Sequence, residues 1–438
     1  MTRPTLNNDC FASDRPRLAH GEAIEILSSG IVPITGTTTI PLSEAVGRVL
    51  ATAAVARHPV PMHTNSAVDG FAFRHADYQD HEDGTWPVAG LASAGHPFSG
   101  RPPAGAAVRI FTGAVMPEAL DTVVMQEDTA AAPGVGERVL IPAGLRPGSN
   151  VRKAGEDVAK GVALLDAGSV LRPQDLAALA SIGYASVPVH DRVKVAIVSS
   201  GDEVIRPGDR ELALGEVYDA NAPMLTALAA AAGGEVSDLG VWPDNRGEVQ
   251  RRLEDAASRF DLILTTGGAS KGAEDHMAAA LGALGRRHVW QLAIKPGRPM
   301  MFGQISNGGS GKGANRRDVL MVGLPGNPVA VFVCFLMYVY PLLRRLGGAP
   351  WPEPRRFMLP AAFSFTGRKP GRREFWRGIL QHTPNGLAAG KFPRDGSGLI
   401  SGLRAADGLI DIPEDTADVH PGDPVAFIPF SEFGILGR

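Results

Sequence analysis

Leu262-Ile263-Leu264-Thr265-Thr266-Gly267-Gly268-Ala269-Ser270-Lys271-Gly272 is the stretch that decides the fold. Five aliphatic and β-branched residues read as a strand, and the chain then breaks into glycines ahead of a helical pattern at 274–284. The same alternation extends in both directions. Upstream, residues 193–198 read as a strand, 222–232 as a helix, 236–241 as a strand and 246–259 as a helix. Downstream, residues 288–294 and 319–324 read as strands and 329–343 as a helix. Strands alternating with helices of this length predict an α/β unit with a doubly wound, mostly parallel sheet. Residues 307–317, rich in Gly, Lys and Arg, read as a flexible insertion between two strands.

The flanks have a different rhythm. Helical patterns cover 19–28 and 42–50, a Pro-rich irregular stretch follows at 58–65, and short apolar runs broken by Gly and Pro fill 66–142. Helix returns within 151–186, so a small β unit is inserted into a helical one. After 348 the pattern is β again, with strands expected at 375–380, 399–403, 409–412 and 425–428. The division expected is therefore a discontinuous helical linker domain (17–58 and 150–186), an inserted β domain (59–149), an α/β domain (187–347) and a C-terminal β-barrel domain (348–438). A length of 438 residues agrees with two to four domains.

Bulk properties narrow the class. A net charge of -3 gives no general attraction to nucleic acid or an anionic membrane, so any anion is bound locally. The two cysteines, Cys10 and Cys334, fit neither a zinc spacing nor a disulfide framework, which favours a reducing compartment. The first residues lack the apolar core of a secretory signal, and 329–343 is shorter than the roughly 18 apolar residues of a span and contains Pro341. A cytoplasmic protein with a buried apolar helix is expected.

In an open α/β sheet, ligands sit beyond the carboxyl ends of the strands. The residues expected there are Ser199-Ser200-Gly201-Asp202-Glu203, Trp242-Pro243-Asp244-Asn245, the glycine loop, Lys295-Pro296-Gly297-Arg298-Pro299 and Pro325-Gly326-Asn327-Pro328. Gly267, Gly268, Ser270 and Gly272 lie in a loop whose backbone N–H groups suit phosphate. Lys295 and Arg298 can neutralise phosphate or another oxyanion. Glu203, Asp244 and Asp275 could hold a hard cation such as Mg²⁺ through oxygen, or serve only as turn and cap residues. Gly268-Ala269-Ser270-Lys271-Gly272 also has the spacing of a nucleophile elbow, which would make Ser270 the centre of a hydrolase. The crowd of glycines with the following Glu274 and Asp275 fits anion cradling better.

Taken together, several strings resemble the MoeA family, the molybdopterin molybdenumtransferases that include the gephyrin E domain. They are residues 65–72, Phe111-Thr112-Gly113-Ala114, Val124-Met125-Gln126-Glu127, 152–158, 199–203, 265–275, 293–299 and 324–328, with Gly396-Ser397-Gly398 near the end. The resemblance spans nearly the whole chain in order. It implies insertion of molybdate into adenylylated molybdopterin, with Mg²⁺, releasing AMP and molybdenum cofactor. It also implies a homodimer whose cleft joins the α/β domain of one subunit to the β insertion of the other. The functional positions that match are Asp69, Thr112, Glu203, Asp244, Asp275, Lys295, Pro325 and Pro328. Ser200 stands where Thr is usual, and Ala220 where Ser is common. A tungstate-using enzyme, a non-catalytic scaffolding relative, and partnership with molybdoenzyme apoproteins or other cofactor-biosynthesis proteins stay open at this point.

Overall fold

A computed structural model describes residues 17–80, 83–132, 136–267, 276–307 and 317–436. The second half is organised by β1 (Lys194–Ser200), β2 (Glu235–Trp242), β3 (Leu262–Thr266), β4 (Gly285–Gln291), β5 (Ile294–Lys295), β6 (Pro299–Asn307) and β7 (Arg317–Leu324). All but β5 form one sheet in the order β2-β1-β3-β7-β6-β4. The first four of these run parallel, whereas β6 pairs antiparallel with both β7 and β4. The sheet is therefore mixed, with three of its five pairings parallel as expected and β6 the one reversed strand. The difference arises from β6, whose entry through Pro299 disguises a strand as the tail of a turn.

Period-two alternation explains why helices cover both faces. Val195, Ile197, Leu262, Leu264, Leu320 and Val322 pack with α1 (Asn221–Ala231) and with the apolar stretch Pro328–Leu346. Ala196, Val198, Ile263 and Met321 point the other way, against α2 (Arg246–Arg259) and α3 (His276–Leu284). Each of these Val, Leu, Ile and Met side chains contributes about 1.5–3 kcal/mol when removed from water.

The stretch Pro328–Leu346 comprises α4 (Pro328–Cys334), a π turn (Phe335–Val339) and α5 (Tyr340–Leu346). It is long and apolar enough to cross a membrane by composition, but 83% of its apolar window is buried inside the protein. The widened turn falls just before Pro341, which has no N–H to continue the regular ladder.

The first half differs in detail from expectation. Helix His20–Gly30 forms, and its Ala23 and Leu27, with the flanking Leu18 and Ile31, join the core under the α/β sheet. Residues 42–50 do not form a helix. Only Leu42–Glu44 makes a 3-10 turn, Gly47 takes φ +74°, and Val49 and Leu50 bridge to Val170 and Val189. The β-branched and left-handed positions outweigh the apolar spacing there. A separate core gathers Ile40, Leu50, Leu171, Leu179, Val187 and Val189. Beyond it, Thr122–Met125, Gly70–Phe73, Ala107–Ile110, Thr85–Ala92, Arg138–Leu140 and Ala130–Ala131 follow one another in a six-stranded sheet.

The C-terminal sheet contains β8 (Phe357–Pro360), β9 (Arg373–Thr383), β10 (Gly386–Lys391), β11 (Gly408–Ile412) and β12 (Pro424–Pro429). Its order is β5-β9-β11-β12-β8, with β10 on β9. The segment expected as a strand at 399–403 is instead the helix Ile400–Ala405. Arg377 braces this helix: its guanidinium donates to Leu399 O at 3.0 Å and lies where a Cβ on Gly402 would have to be. β5 is the point of union: it belongs to the α/β half in sequence and to the C-terminal sheet by pairing.

Candidate active site

The parallel register aligns the strand ends along one edge. Ser199 lies opposite Thr266, Thr266 opposite Leu324, and Ser200 opposite Trp242. Gly267 must be glycine at this edge, since φ is +86° and a Cβ would lie 2.8 Å from Ser200 O. Facing the edge, the C-terminal sheet closes a cleft of about 640 Å³. Gly267, Lys295, Arg298, Pro325, Gly326 and Asn327 line the α/β side. Phe375, Trp376, Arg377, Lys391, Asp395 and Ser397 line the other.

The local structure of each wall follows from the sequence. The turn at 295–298 contains a cis Lys295–Pro296 bond and is closed by Leu292 N donating to Arg298 O at 2.7 Å. Gly297 has φ +102° and seats against the π-containing helix, where a Cβ would lie 2.2 Å from Cys334 Sγ. The turn at 325–328 is tied from below. Asp219, buried, accepts from Ser199 Oγ at 2.5 Å and from the first amides of α1 at 3.1 and 3.0 Å. That fixes Asn221, whose Nδ2 donates to Gly326 O at 2.7 Å. Pro328 opens α4, and Val329 N donates to Ser397 O at 2.9 Å, which docks the far wall on the helix start.

Charge in the cleft is predominantly positive. Four cations, Lys295, Arg298, Arg377 and Lys391, line it against one carboxylate, Asp395. Asp395 pairs with Lys391 at 2.6 Å, and Arg377 is committed to the carbonyls of Leu399 and Arg394. Lys295 Nζ is 3.5 Å from Glu374 Oε2. Arg298 is exposed at the cleft. Much of the remaining lining is apolar, with Val329, Phe375, Trp376 and Phe392 among it, so the site suits an anionic ligand with a flat or apolar body.

The other expected site residues are placed as follows. Glu203 is exposed beyond β1, its carboxylate folded back over Gly201. Asp244 follows β2, 3.6 Å from His276 Nε2 at the start of α3. Both stand at the same sheet edge, outside the lining of the cleft. Gly268, Ser270, Gly272 and Asp275, like most of 307–317, lie outside the described residues. Among the described residues no group of three His, Cys, Asp or Glu side chains is assembled for a metal. Asp69 and Thr112 meet on the inserted sheet, where Thr112 N and Oγ1 each donate to Asp69 Oδ1 at 2.7 Å. Those two bonds hold the Asp69 carboxyl below its ordinary range. Gly70 follows because a Cβ would overlap Val124 O.

Reading strand ends missed the whole C-terminal wall. Gly396-Ser397-Gly398 was the one signal for it. Nothing in the sequence pattern pointed to Trp376, Arg377, Lys391 or the Asn221 clamp.

The fold and cleft define a class: a multidomain α/β protein with a cation-lined cleft at the carboxyl edge of its central sheet. Comparison with known proteins makes the class specific. A family described as the MoeA N-terminal region (domain I and II) matches residues 18–183. A probable molybdopterin binding domain matches 196–345, and the MoeA C-terminal region (domain IV) matches 359–430. The chain is 36% identical to the molybdopterin molybdenumtransferase of Haemophilus influenzae, covering 91% of this chain and 95% of that one. It is 33% identical to molybdopterin molybdenumtransferase 2 of Mycobacterium tuberculosis, over 88% and 93% of the two chains. The molybdopterin biosynthesis moeA protein of Pyrococcus horikoshii OT3 matches with a TM-score of 0.79 at 29% identity, covering 94% of this chain and 100% of that one. The chain belongs to the MoeA family.

Proposed function

We infer that this protein is a molybdopterin molybdenumtransferase of molybdenum cofactor biosynthesis, inserting molybdate into adenylylated molybdopterin and releasing AMP and molybdenum cofactor. The observation that carries this reading is the cleft itself, which sets Lys295 and Arg298 opposite a wall that includes Phe375, Trp376 and Phe392. A tetrahedral dianion needs cations fixed before it arrives, and a pterin needs an apolar slot beside them. Lys295 and Arg298 offset the charge of molybdate or of the ligand phosphate. The turns at 295–298 and 325–328 shape the slot, and the glycine loop after Thr266 receives the pyrophosphate. The dithiolene thiols form Mo–S bonds as Mo–O bonds break, the displaced oxygens leaving as water with the thiol protons, and a water hydrolyses the anhydride to AMP and the pterin monophosphate.

Mg²⁺ would supply charge neutralisation at that anhydride. Asp244 and Glu203 fit a hard cation as exposed oxygen donors at the same sheet edge, and Asp275 would complete the set. Thr112 is exposed, Asp69 is half-buried, and the two are bonded to each other on a separate sheet, which supports their presentation to the cleft of a second copy in a homodimer. The cytoplasm is the compartment proposed, and cofactor-biosynthesis proteins or molybdoenzyme apoproteins are the expected partners. The Ser270 hydrolase reading is not favoured, because the family matches cover the α/β unit as a molybdopterin-binding domain.

The test is incubation of purified protein with adenylylated molybdopterin, with and without Mg²⁺, and with molybdate or tungstate. AMP release and cofactor formation that require the oxyanion are expected, and Lys295→Ala should suppress both. AMP release indifferent to molybdate and tungstate would overturn the reading.

A further inference from the structure

We propose that Glu374 is a positioning residue for the reaction: a fixed carboxylate in the C-terminal sheet that aims Lys295 of the α/β unit into the cleft. The inference rests on the functional reading above. β5 and β9 are parallel neighbours with Lys295 in register with Glu374, so the two side chains leave adjacent strands side by side. The pair is asymmetric. The Lys295 side chain is 46% exposed and long, whereas that of Glu374 is 1% exposed.

Glu374 is immobilised from several directions. Its Oε1 accepts from Arg372 Nε at 2.9 Å, and its Oε2 accepts from Trp376 Nε1 at 2.9 Å and stands 3.5 Å from Lys295 Nζ. Arg368, also buried, lies 3.8 Å away. Burial pushes the carboxyl up, but hydrogen bonds from Trp376 and Arg372 and the charges of Lys295 and Arg372 leave it below its ordinary range. It is therefore an anion at neutral pH. One carboxylate thus fixes both a cleft cation and the indole of a cleft wall, across the boundary between the two sheets.

This role has a sign that distinguishes it from simple charge neutralisation. A mere counter-ion competes with the incoming oxyanion for Lys295, so its removal would tighten oxyanion binding. A positioning anion holds an otherwise freely rotating ammonium in place, so its removal weakens binding despite the more positive local field.

The experiment compares wild type, Glu374→Gln, Lys295→Ala and the double variant, with far-UV circular dichroism to verify folding. Glu374→Gln is expected to raise KM for molybdate five-fold or more with kcat changed less than two-fold. It should add nothing in the Lys295→Ala background. An unchanged or lowered KM, or additivity with Lys295→Ala, overturns the proposal. A second readout needs no turnover: acylation of Lys295 by an amine-reactive ester, followed by peptide mass spectrometry. Several-fold faster labelling of Lys295 in Glu374→Gln is expected, with Glu374→Asp intermediate; unchanged labelling also overturns it. If wild type shows no oxyanion-dependent AMP release, the functional reading fails, while labelling still reports on the Lys295–Glu374 coupling.

Discussion

Gly297→Ala tests how the cleft turn is built. Two costs are legible in the structure. Gly297 has φ +102°, a conformation that costs an L-residue about 1–3 kcal/mol. The new methyl would also lie 2.2 Å from Cys334 Sγ, where the buried, helix-bound sulfur has little room to retreat. Overpacking of this kind adds about 1–3 kcal/mol. The sum is about 2–6 kcal/mol, or roughly 5–15 °C in the thermal midpoint. The two costs separate in a double-mutant cycle, because Cys334→Ala removes the sulfur and leaves φ untouched. In that background Gly297→Ala should retain only the backbone cost, giving a coupling of about 1–3 kcal/mol. Thermal and urea denaturation followed by circular dichroism measure all four proteins. Strict additivity would falsify the packing argument, and a stability unchanged in Gly297→Ala alone would refute the backbone argument as well.

Three further outcomes follow from other contacts. Asn221→Ala removes the bond to Gly326 O, worth about 1 kcal/mol, but also an Oδ1 that is buried without a partner among the described residues. Stability should therefore fall by less than about 1 kcal/mol while KM for the pterin substrate rises several-fold, as steady-state kinetics would show. His20 is lowered from 6.5 to about 4 by burial and then by the nearby Arg373 charge, and so is neutral when folded. Its contribution is complete above pH 6.5 and is lost as pH falls toward 4, by up to about 3 kcal/mol, so His20→Gln should flatten denaturation midpoints across that window. Burial pushes the Asp411 carboxyl up, but Arg373 and Arg356 more than offset this and hold it below its ordinary value. Asp411→Asn should cost about 2–3 kcal/mol at neutral pH, less than a fully buried pair because both arginines keep some solvent access. The difference should vanish as pH falls through the depressed carboxyl value, measurable as converging urea midpoints.

Much of the α/β unit was readable because its central strands are buried on both faces and its helices carry regular apolar spacing. The runs at Leu262–Thr266 and Arg246–Arg259 carry their signals locally. β6 was not readable, because Pro299 and Gly303 interrupt a strand whose place is fixed by pairing with β7 and β4. Residues 42–50 misled in the opposite sense: the apolar spacing suited a helix, but Val49 and Leu50 found strand partners more than 100 residues away. The candidate site divides in the same manner. Lys295, Arg298 and the turn at 325–328 follow strand ends and could be located by topology alone. Arg377, Lys391 and Ser397 reach the cleft only because the C-terminal sheet folds back on it, and no local pattern encodes that return.

The two-residue strand β5 carries a consequence for how the molecule opens. Because Ile294 and Lys295 are laced into the sheet of the C-terminal unit, the floor and roof of the cleft share backbone hydrogen bonds. Peeling them apart requires breaking a ladder, not rotating about a loop. The two units should therefore melt as one cooperative block along that edge, with amide protons at 294–295 and 373–374 exchanging together. Substrate entry must then rely on side-chain and loop motions at the open rim, and the spacing between the cleft walls is set when the protein folds rather than when the ligand arrives.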